Sequence, residues 1–189
     1  MAKHRFWHSR GYLPHLDAPE LIQAVTFRAA DAMPQRLIDR WKQELRQDAA
    51  RAKKLHQRIA RYEDEGFGRC DLAKPECAHI VQETLLHFDQ ERYRLLEWCV
   101  MPNHVHVILR CETGFPLAEV MKSWKAFTSR KINEFLGRMG GFWQREYYDR
   151  YMRDLDHLET ARSYVRMNPV KAGLCAKPED WPWGSAGYG

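Results

Sequence analysis

No apolar run in this chain approaches the roughly 20 residues that a membrane-spanning helix requires. Its first residues, Met-Ala-Lys-His-Arg-Phe-Trp-His, are too polar for a secretory signal. We therefore expect a cytoplasmic protein with no membrane partner. Cysteine is scarce, with five residues at 70, 77, 99, 111 and 175. The number is odd and no Cys-x-x-Cys pair occurs, which excludes a complete disulfide framework and argues against a cysteine zinc site. Internal repeats, low-complexity tracts and a Pro/Gly/Ser-rich linker are missing too. The 189 residues, 44% of them hydrophobic, read as one domain over 1–189 with enough apolar material for a core.

Positive charge is present but uneven. The net charge is +5 and the pI is near 9.0. Between Arg36 and Arg61 nine Lys/Arg face three Asp/Glu, a local surplus of six. In the same stretch Ile38, Trp41, Leu45, Ala52, Leu55, Ile59 and Tyr62 recur at three- and four-residue steps. That spacing predicts a basic amphipathic helical segment over about 34–66, either continuous or broken. Its basic face is either solvated or a surface for nucleic-acid phosphates, which would add affinity with little sequence preference.

The most informative motif is Trp98-Cys-Val-Met-Pro-Asn-His-Val-His-Val-Ile-Leu-Arg110. Its β-branched and aliphatic residues predict a strand from His104 to Cys111. Side chains alternate along a strand, so His104, His106, Ile108 and Arg110 share one face while Val105, Val107 and Leu109 line the other. The two imidazoles are then about 7 Å apart along the backbone and can converge on one metal ion. A lone His-x-His also fits two half-buried strand histidines, so a metal site needs a further ligand.

A candidate partner lies in Ala161-Arg-Ser-Tyr-Val-Arg-Met-Asn-Pro-Val-Lys-Ala-Gly-Leu174. A helix is predicted from Asp156 to Met167, with Asp154 or Asp156 as its cap, Leu158, Ala161 and Val165 as its apolar stripe and Pro169 restricting its end. Tyr164 and Asn168, four residues apart, share one face of the last turn. Unpaired carbonyls at a helix C-terminus favour a cation, the Asn amide oxygen is a hard ligand, and the Tyr hydroxyl is a potential nucleophile. Tyr164 as a core aromatic and Asn168 as a helix stop is the competing reading.

The remaining pattern gives a strand over Ile22 to Ala29 and helices over about Pro75 to Phe88 and Pro116 to Leu136. It also gives a hairpin of Tyr93 to Met101 with His104 to Cys111 turning at Pro102 and Asn103, and a strand over Phe142 to Met152. This order implies an α/β (α+β) architecture, helices packed against an antiparallel sheet.

Met-Pro-Asn-His-Val-His-Val-Ile (101–108) followed by Tyr-Val-Arg-Met-Asn-Pro-Val-Lys-Ala-Gly-Leu (164–174) resembles the single-tyrosine HUH transposases, and most closely their REP-associated branch, the REP-associated tyrosine transposases. The same family is resembled, in the same order, by Arg10-Gly-Tyr-Leu-Pro-His15, Val25-Thr-Phe-Arg28, Lys122-Ser-Trp-Lys-Ala-Phe-Thr128, Phe142-Trp-Gln-Arg-Glu-Tyr-Tyr-Asp-Arg-Tyr151 and Trp181-Pro-Trp-Gly-Ser-Ala186. The resemblance implies the HUH, ferredoxin-like α/β sandwich. It implies a divalent metal, Mg2+ or Mn2+, on His104, His106 and Asn168, with Tyr164 as the nucleophile that forms a 5′-phosphotyrosine on single-stranded DNA. The partners it implies are palindromic REP-type hairpins with a short single-stranded guide. Relatives act as monomers in the REP-associated branch and as helix-exchanging dimers among insertion sequences, so a monomer is expected and a dimer left open.

Candidate DNA contacts are Arg10, Tyr12 and His15 near the N-terminus, Lys122, Trp124, Lys125 and Arg130 on the third helix, and Arg145, Arg150 and Arg153 around the following strand. Tyr12 and Trp124 are the candidates for base stacking. Tyr147, Tyr148 and Tyr151 compete with Tyr164 as nucleophile, and Glu146, Asp149 and His157 are candidate partners of the metal histidines. Rival functions are a domesticated, non-catalytic hairpin-binding protein, a replication initiator or relaxase, and a hydrolytic nuclease without a covalent intermediate.

Overall fold

The structure, a computed structural model, describes residues 6–9 and 14–188. Its centre is the hairpin of β4 (Tyr93–Val100) and β5 (His104–Cys111), with the turn at Pro102 and Asn103 closed by the Met101 N–H donating to the His104 carbonyl at 2.9 Å. Beside β5 runs β3 (Ile22–Arg28), and beside β3 runs β6 (Tyr148–Tyr151), giving an antiparallel sheet of order β4-β5-β3-β6. A separate pair, β1 (Phe6–Ser9) and β2 (Pro14–Asp17), precedes it.

Register carries the alternation of β5 across the sheet. Val25 lies opposite Val107 and Thr26 opposite His106. Val25, Phe27, Val105, Val107 and Leu109 pack on one face with Val81 and Leu85 of α3 (Pro75–Leu86) and Leu117, Met121 and Trp124 of α4 (Leu117–Phe135). On the other face Cys99, Met101 and Ile108 meet Leu158 and Val165 of α5 (Leu155–Lys171). Each of these large side chains contributes about 1.5–3 kcal/mol on burial. Both faces of β5 are therefore covered, so His104 and His106 are buried along with its apolar residues.

The basic segment is broken into α1 (Gln35–Glu44) and α2 (Arg51–Asp64). Asp48 organises the break by accepting from the Ala50 N–H at 2.8 Å and the Lys54 ammonium at 2.6 Å. The expected apolar stripe closes the joint, with Met33, Ile38 and Ile59 packed by Trp41, Leu55 and Tyr62.

Two expected elements are corrected. Of the expected 142–152 strand the continuous ladder is confined to Tyr148–Tyr151. Trp143 makes one isolated antiparallel bridge to Ala29, with the Ala30 N–H donating to the Phe142 carbonyl at 2.8 Å and the Gln144 N–H to the Arg28 carbonyl at 2.9 Å. Phe142 and Trp143 are also buried by side-chain packing, with Trp143 edge-on to Phe27 and its indole N–H on Thr128 Oγ1 at 2.8 Å. The carbonyls of Gln144 and Arg145 turn to the Lys125 ammonium at 2.7 and 3.0 Å, away from a ladder. The last helix does not stop before Pro169 but continues to Lys171, so Asn168 lies within the helix. Its start agrees with expectation, since Asp154 accepts from the His157 N–H at 2.7 Å.

The Trp-rich tail adds to the exposed edge of β4. Val100 donates to the Trp183 carbonyl at 2.7 Å and Ser185 donates to the Trp98 carbonyl at 3.0 Å. An open strand edge is thereby covered. All five cysteines are free, and no helix among the described residues is long and apolar enough to cross a membrane.

Candidate active site

His104 and His106 project from β5 toward α5, both nearly inaccessible to solvent at 1% and 5% exposure. Their Nε2 atoms are 2.9 Å apart. Two nitrogens bound to one ion at about 2.1 Å and roughly a right angle would be about 3 Å apart, so the spacing suits a shared cation. The other nitrogen of each ring is held from outside. His104 Nδ1 meets Asn103 Oδ1 at 2.7 Å and His106 Nδ1 meets Thr26 Oγ1 at 2.8 Å. Such outer hydrogen bonds fix ring orientation. Burial, then the neighbouring His106 and Arg28, hold the His104 imidazole well below its usual pKa, so it is neutral and able to coordinate.

The helix α5 brings Tyr164 and Asn168 to this pair. The Tyr164 ring stands edge-on to His106 with centroids 5.4 Å apart. The Asn168 amide lies 3.4 Å from His106 Nε2 through its nitrogen, while its oxygen is buried without a hydrogen-bond partner. A half-turn of the amide exchanges the two atoms. From the opposite side comes Asp64, the last residue of α2, with an unpartnered Oδ1 4.0 Å from His104 Nε2. Ligand atoms of Asp64, His104 and His106 all lie within 4.8 Å of one another. Two imidazoles, of which His104 is held neutral, beside two orphaned oxygens form a donor set that fits a divalent cation.

Burial, then the carboxylates of Asp64 and Glu63, raise the Tyr164 phenol above its ordinary pKa of 10, with Asn168 opposing. Burial likewise raises Asp64, opposed by Asn168 and Lys171. The Lys171 ammonium lies 5.3 Å from the Tyr164 ring centroid. Without a cation, then, the pocket is adverse to negative charge; with one, the balance inverts.

Asp64 was not singled out in the sequence, where it is one carboxylate at the end of a basic helix. The structural reason for its position is a buried joint. Arg28 and Glu63, each 3% exposed, form an ion pair at 2.9 Å. The Asn103 amide N–H donates to the carbonyls of Glu63 and Phe67 at 3.2 and 2.9 Å. The end of α2 is thus tied to the same turn that begins β5.

Other sequence candidates fall elsewhere. Thr26 and Asn103 hold the histidine rings, Asp149 and His157 are engaged elsewhere, and Glu146 lies half-buried before β6. Asp149 lies opposite Val25 on the far face of the sheet, where it accepts from Leu16 N–H and Gln23, and His157 Nδ1 accepts from the Arg153 N–H at 3.4 Å. Among the rival tyrosines, Tyr147 is buried under Lys125, and Tyr148 reaches the histidine face but stands across β3, opposite Thr26. Tyr151 pairs with Gln23 on the other face.

The stacking role for Trp124 is corrected. Its ring is 2% exposed and its N–H donates to the Tyr93 hydroxyl at 3.0 Å. Lys122, Lys125 and Arg130 ride on α4, across the sheet from Tyr164. Arg150 and Arg153 are exposed at β6 and the start of α5, and Arg145 is exposed before β6. Arg10 and Tyr12 lie outside the described residues, as does the side chain of His15 in β2.

The fold and site define an α/β protein whose antiparallel sheet presents a paired-histidine cluster to a helix carrying a tyrosine. The family described as "Transposase IS200 like" matches residues 69–168, more than half of the chain. The chain belongs to the IS200-like transposase family. That match takes in His104, His106, Tyr164 and Asn168 and leaves Asp64 outside it. A Haemophilus influenzae protein named as a REP-associated tyrosine transposase is 26% identical over 114 residues, covering 55% of this chain. This chain spans 63% of that relative's length. In fold it is similar to a REP-associated tyrosine transposase solved bound to a REP hairpin, with a TM-score of 0.58 at 14% identity, covering 93% of this chain and 82% of the other.

Proposed function

We propose that this chain is a metal-dependent endonuclease and strand transferase of single-stranded DNA, acting at REP-type hairpins through a 5′-phosphotyrosine intermediate. The observation that carries the reading is the convergence of Tyr164 and Asn168 from α5 on the His104–His106 pair of β5, beside two unpartnered oxygens. His104, His106 and Asn168, with Asp64 added, would hold Mg2+ or Mn2+. Such an ion supplies charge stabilisation at a scissile phosphate and favours the phenolate of an adjacent tyrosine.

The chain's own groups set the rest of the chemistry. Tyr164 has its phenol pKa raised by burial and two carboxylates, so it is held protonated at neutral pH until positive charge enters the pocket. Lys171 beside its ring contributes part of that charge. The phenolate oxygen attacks phosphorus, the P–O3′ bond breaks, and a 3′-hydroxyl leaves after taking up a proton. The phosphotyrosine retains the bond energy, so a second 3′-hydroxyl can reverse the step and join strands without a nucleotide cofactor. Exposed Arg145, Arg150 and Arg153 would hold DNA phosphates, and Arg10, Tyr12 and His15 would add further contacts. Because β5 and α5 of one chain complete the site, a monomer suffices.

Covalent trapping tests this. Labelled hairpin DNA from the repeats of the source genome, incubated with protein and Mn2+, is expected to give a denaturation-resistant adduct. The adduct should vanish with Tyr164→Phe, His106→Ala or chelator. Hairpin binding without adduct or cleavage on every repeat would favour a domesticated binder, and cleavage that survives Tyr164→Phe would favour hydrolysis.

A further inference from the structure

The helix that carries Tyr164 is weakly anchored by apolar contacts: its buried positions are Leu158, Val165, Asn168 and Pro169 alone. Leu158, Ala161 and Val165 form the strip against the sheet. At 100° per residue, Tyr164, Asn168 and Lys171 lie on one flank of that strip, and Arg162 and Arg166 lie on the other. A narrow apolar strip resists lifting of a helix better than rolling about its own axis. Something on the far flank must therefore set the roll.

That group is Glu97 of β4, a carboxylate only 1% exposed. Its Oε2 accepts from Arg162 Nε at 3.1 Å and Arg166 Nε at 2.8 Å. Its Oε1 accepts from the Ser185 hydroxyl of the tail. The strand is irregular at just this place. Leu95 lies opposite Leu109 and Glu97 opposite Ile108, so Leu96 is an extra residue in the ladder. Without the bulge Leu96 would face Ile108, and Glu97 would fall opposite Val107, on the apolar α3–α4 face. The bulge thus delivers an acid to the α5 face, between two arginines one helical turn apart. A buried carboxylate is costly unless its charge is met, and here two guanidinium groups meet it.

We propose that Glu97 is a positioning residue for the nucleophile: through Arg162 and Arg166 it fixes the roll of α5 and so the approach of the Tyr164 oxygen to its target. The polar partners of Glu97 are Arg162, Arg166 and Ser185, none of them among the proposed metal ligands. Side-chain atoms about 5–6 Å from a helix axis move about 1 Å for a 10° roll, and a 1 Å misplacement of a reacting group can cost about a hundredfold in rate. The clamp should therefore govern the rate of attack far more than the affinity for DNA.

The inference rests on the phosphotyrosine reading, and single-turnover kinetics on the full chain tests the two separately. Mn2+ and saturating hairpin DNA are used, with hairpin affinity and melting temperature measured in parallel. Glu97→Gln is expected to slow adduct formation by about 10–100-fold while hairpin affinity stays within about threefold. Arg166→Met, at a half-exposed position that tolerates the change, is expected to slow it in the same direction. The double variant should be little slower than Glu97→Gln alone, because both remove one clamp. Adduct formation within twofold of wild type in Glu97→Gln would overturn the proposal. So would rate and affinity falling together with the folded fraction, which is what a purely structural role predicts. If wild type forms no adduct on any hairpin, the phosphotyrosine reading itself fails and the positioning role falls with it.

Discussion

His104 and His106 sit in a strand flanked on both edges and covered on both faces, with each ring held by a neighbour, whereas Tyr164 rides on a helix seated by a narrow apolar strip and polar contacts along its flanks. The strand half of the site is part of the core and cannot move without it. The helix half is attached to the core from one side. Under the proposed function, a metal-holding group benefits from the first arrangement, since ligands must be preorganised against their own repulsion. Under the same proposal, a nucleophile that must bond to a substrate and later release it is better served by the second.

This contrast can be broken by substitutions that separate chemistry from stability. The largest difference is expected for Tyr164→Phe: no covalent adduct at all, with stability in denaturant within about 1 kcal/mol of wild type. Arg28→Met should act first on stability. Leaving Glu63 buried without its partner is expected to cost about 3–5 kcal/mol of stability in the same titration. Equal stability losses in the two variants would contradict the proposed asymmetry.

Smaller effects sharpen it. Thr26→Val removes the hydrogen bond to His106 Nδ1 and should weaken Mn2+ binding or adduct formation by about 10–100-fold. Calorimetric titration of Mn2+ would check it, and an unchanged affinity would show that the ring needs no outer support. The smallest effect concerns Asp71, which ties the segment after α2 to Arg138 beyond α4 at 2.7 Å. Burial opposes ionisation of Asp71, but hydrogen bonds from Arg138 and Lys74 outweigh it and hold the carboxyl below its usual 3.8. A depressed carboxylate contributes stability above its unfolded pKa and loses it as pH falls through the folded value. Asp71→Asn should therefore lower stability by about 1 kcal/mol at pH 7, and the gap from wild type should close below about pH 3.8.

Much of this site was legible in the sequence because its parts are local. Alternation along 104–110 put both histidines on one face, and a four-residue interval put Tyr164 and Asn168 on one side of a helix. The Pro102–Asn103 turn followed from the same local logic. Trp124 was misread because an amphipathic spacing does not say how deep an aromatic ring sinks. The 142–152 segment is not one continuous strand because, between the Trp143–Ala29 bridge and Tyr148, the carbonyls of Gln144 and Arg145 turn to Lys125. Pro169 misled as a helix stop because tertiary packing carried the backbone one further turn.

By itself, then, the sequence determined which residues are chemically capable and which lie on a common face: the paired imidazoles, the tyrosine and the amide four residues on. Only the tertiary structure decided that these two faces meet, that Asp64 joins them from α2, and that a one-residue bulge turns Glu97 toward the tyrosine helix. The physical reason is range. Periodicity and propensity act over a few residues, whereas these contacts join positions 40 to 69 residues apart through a shared core.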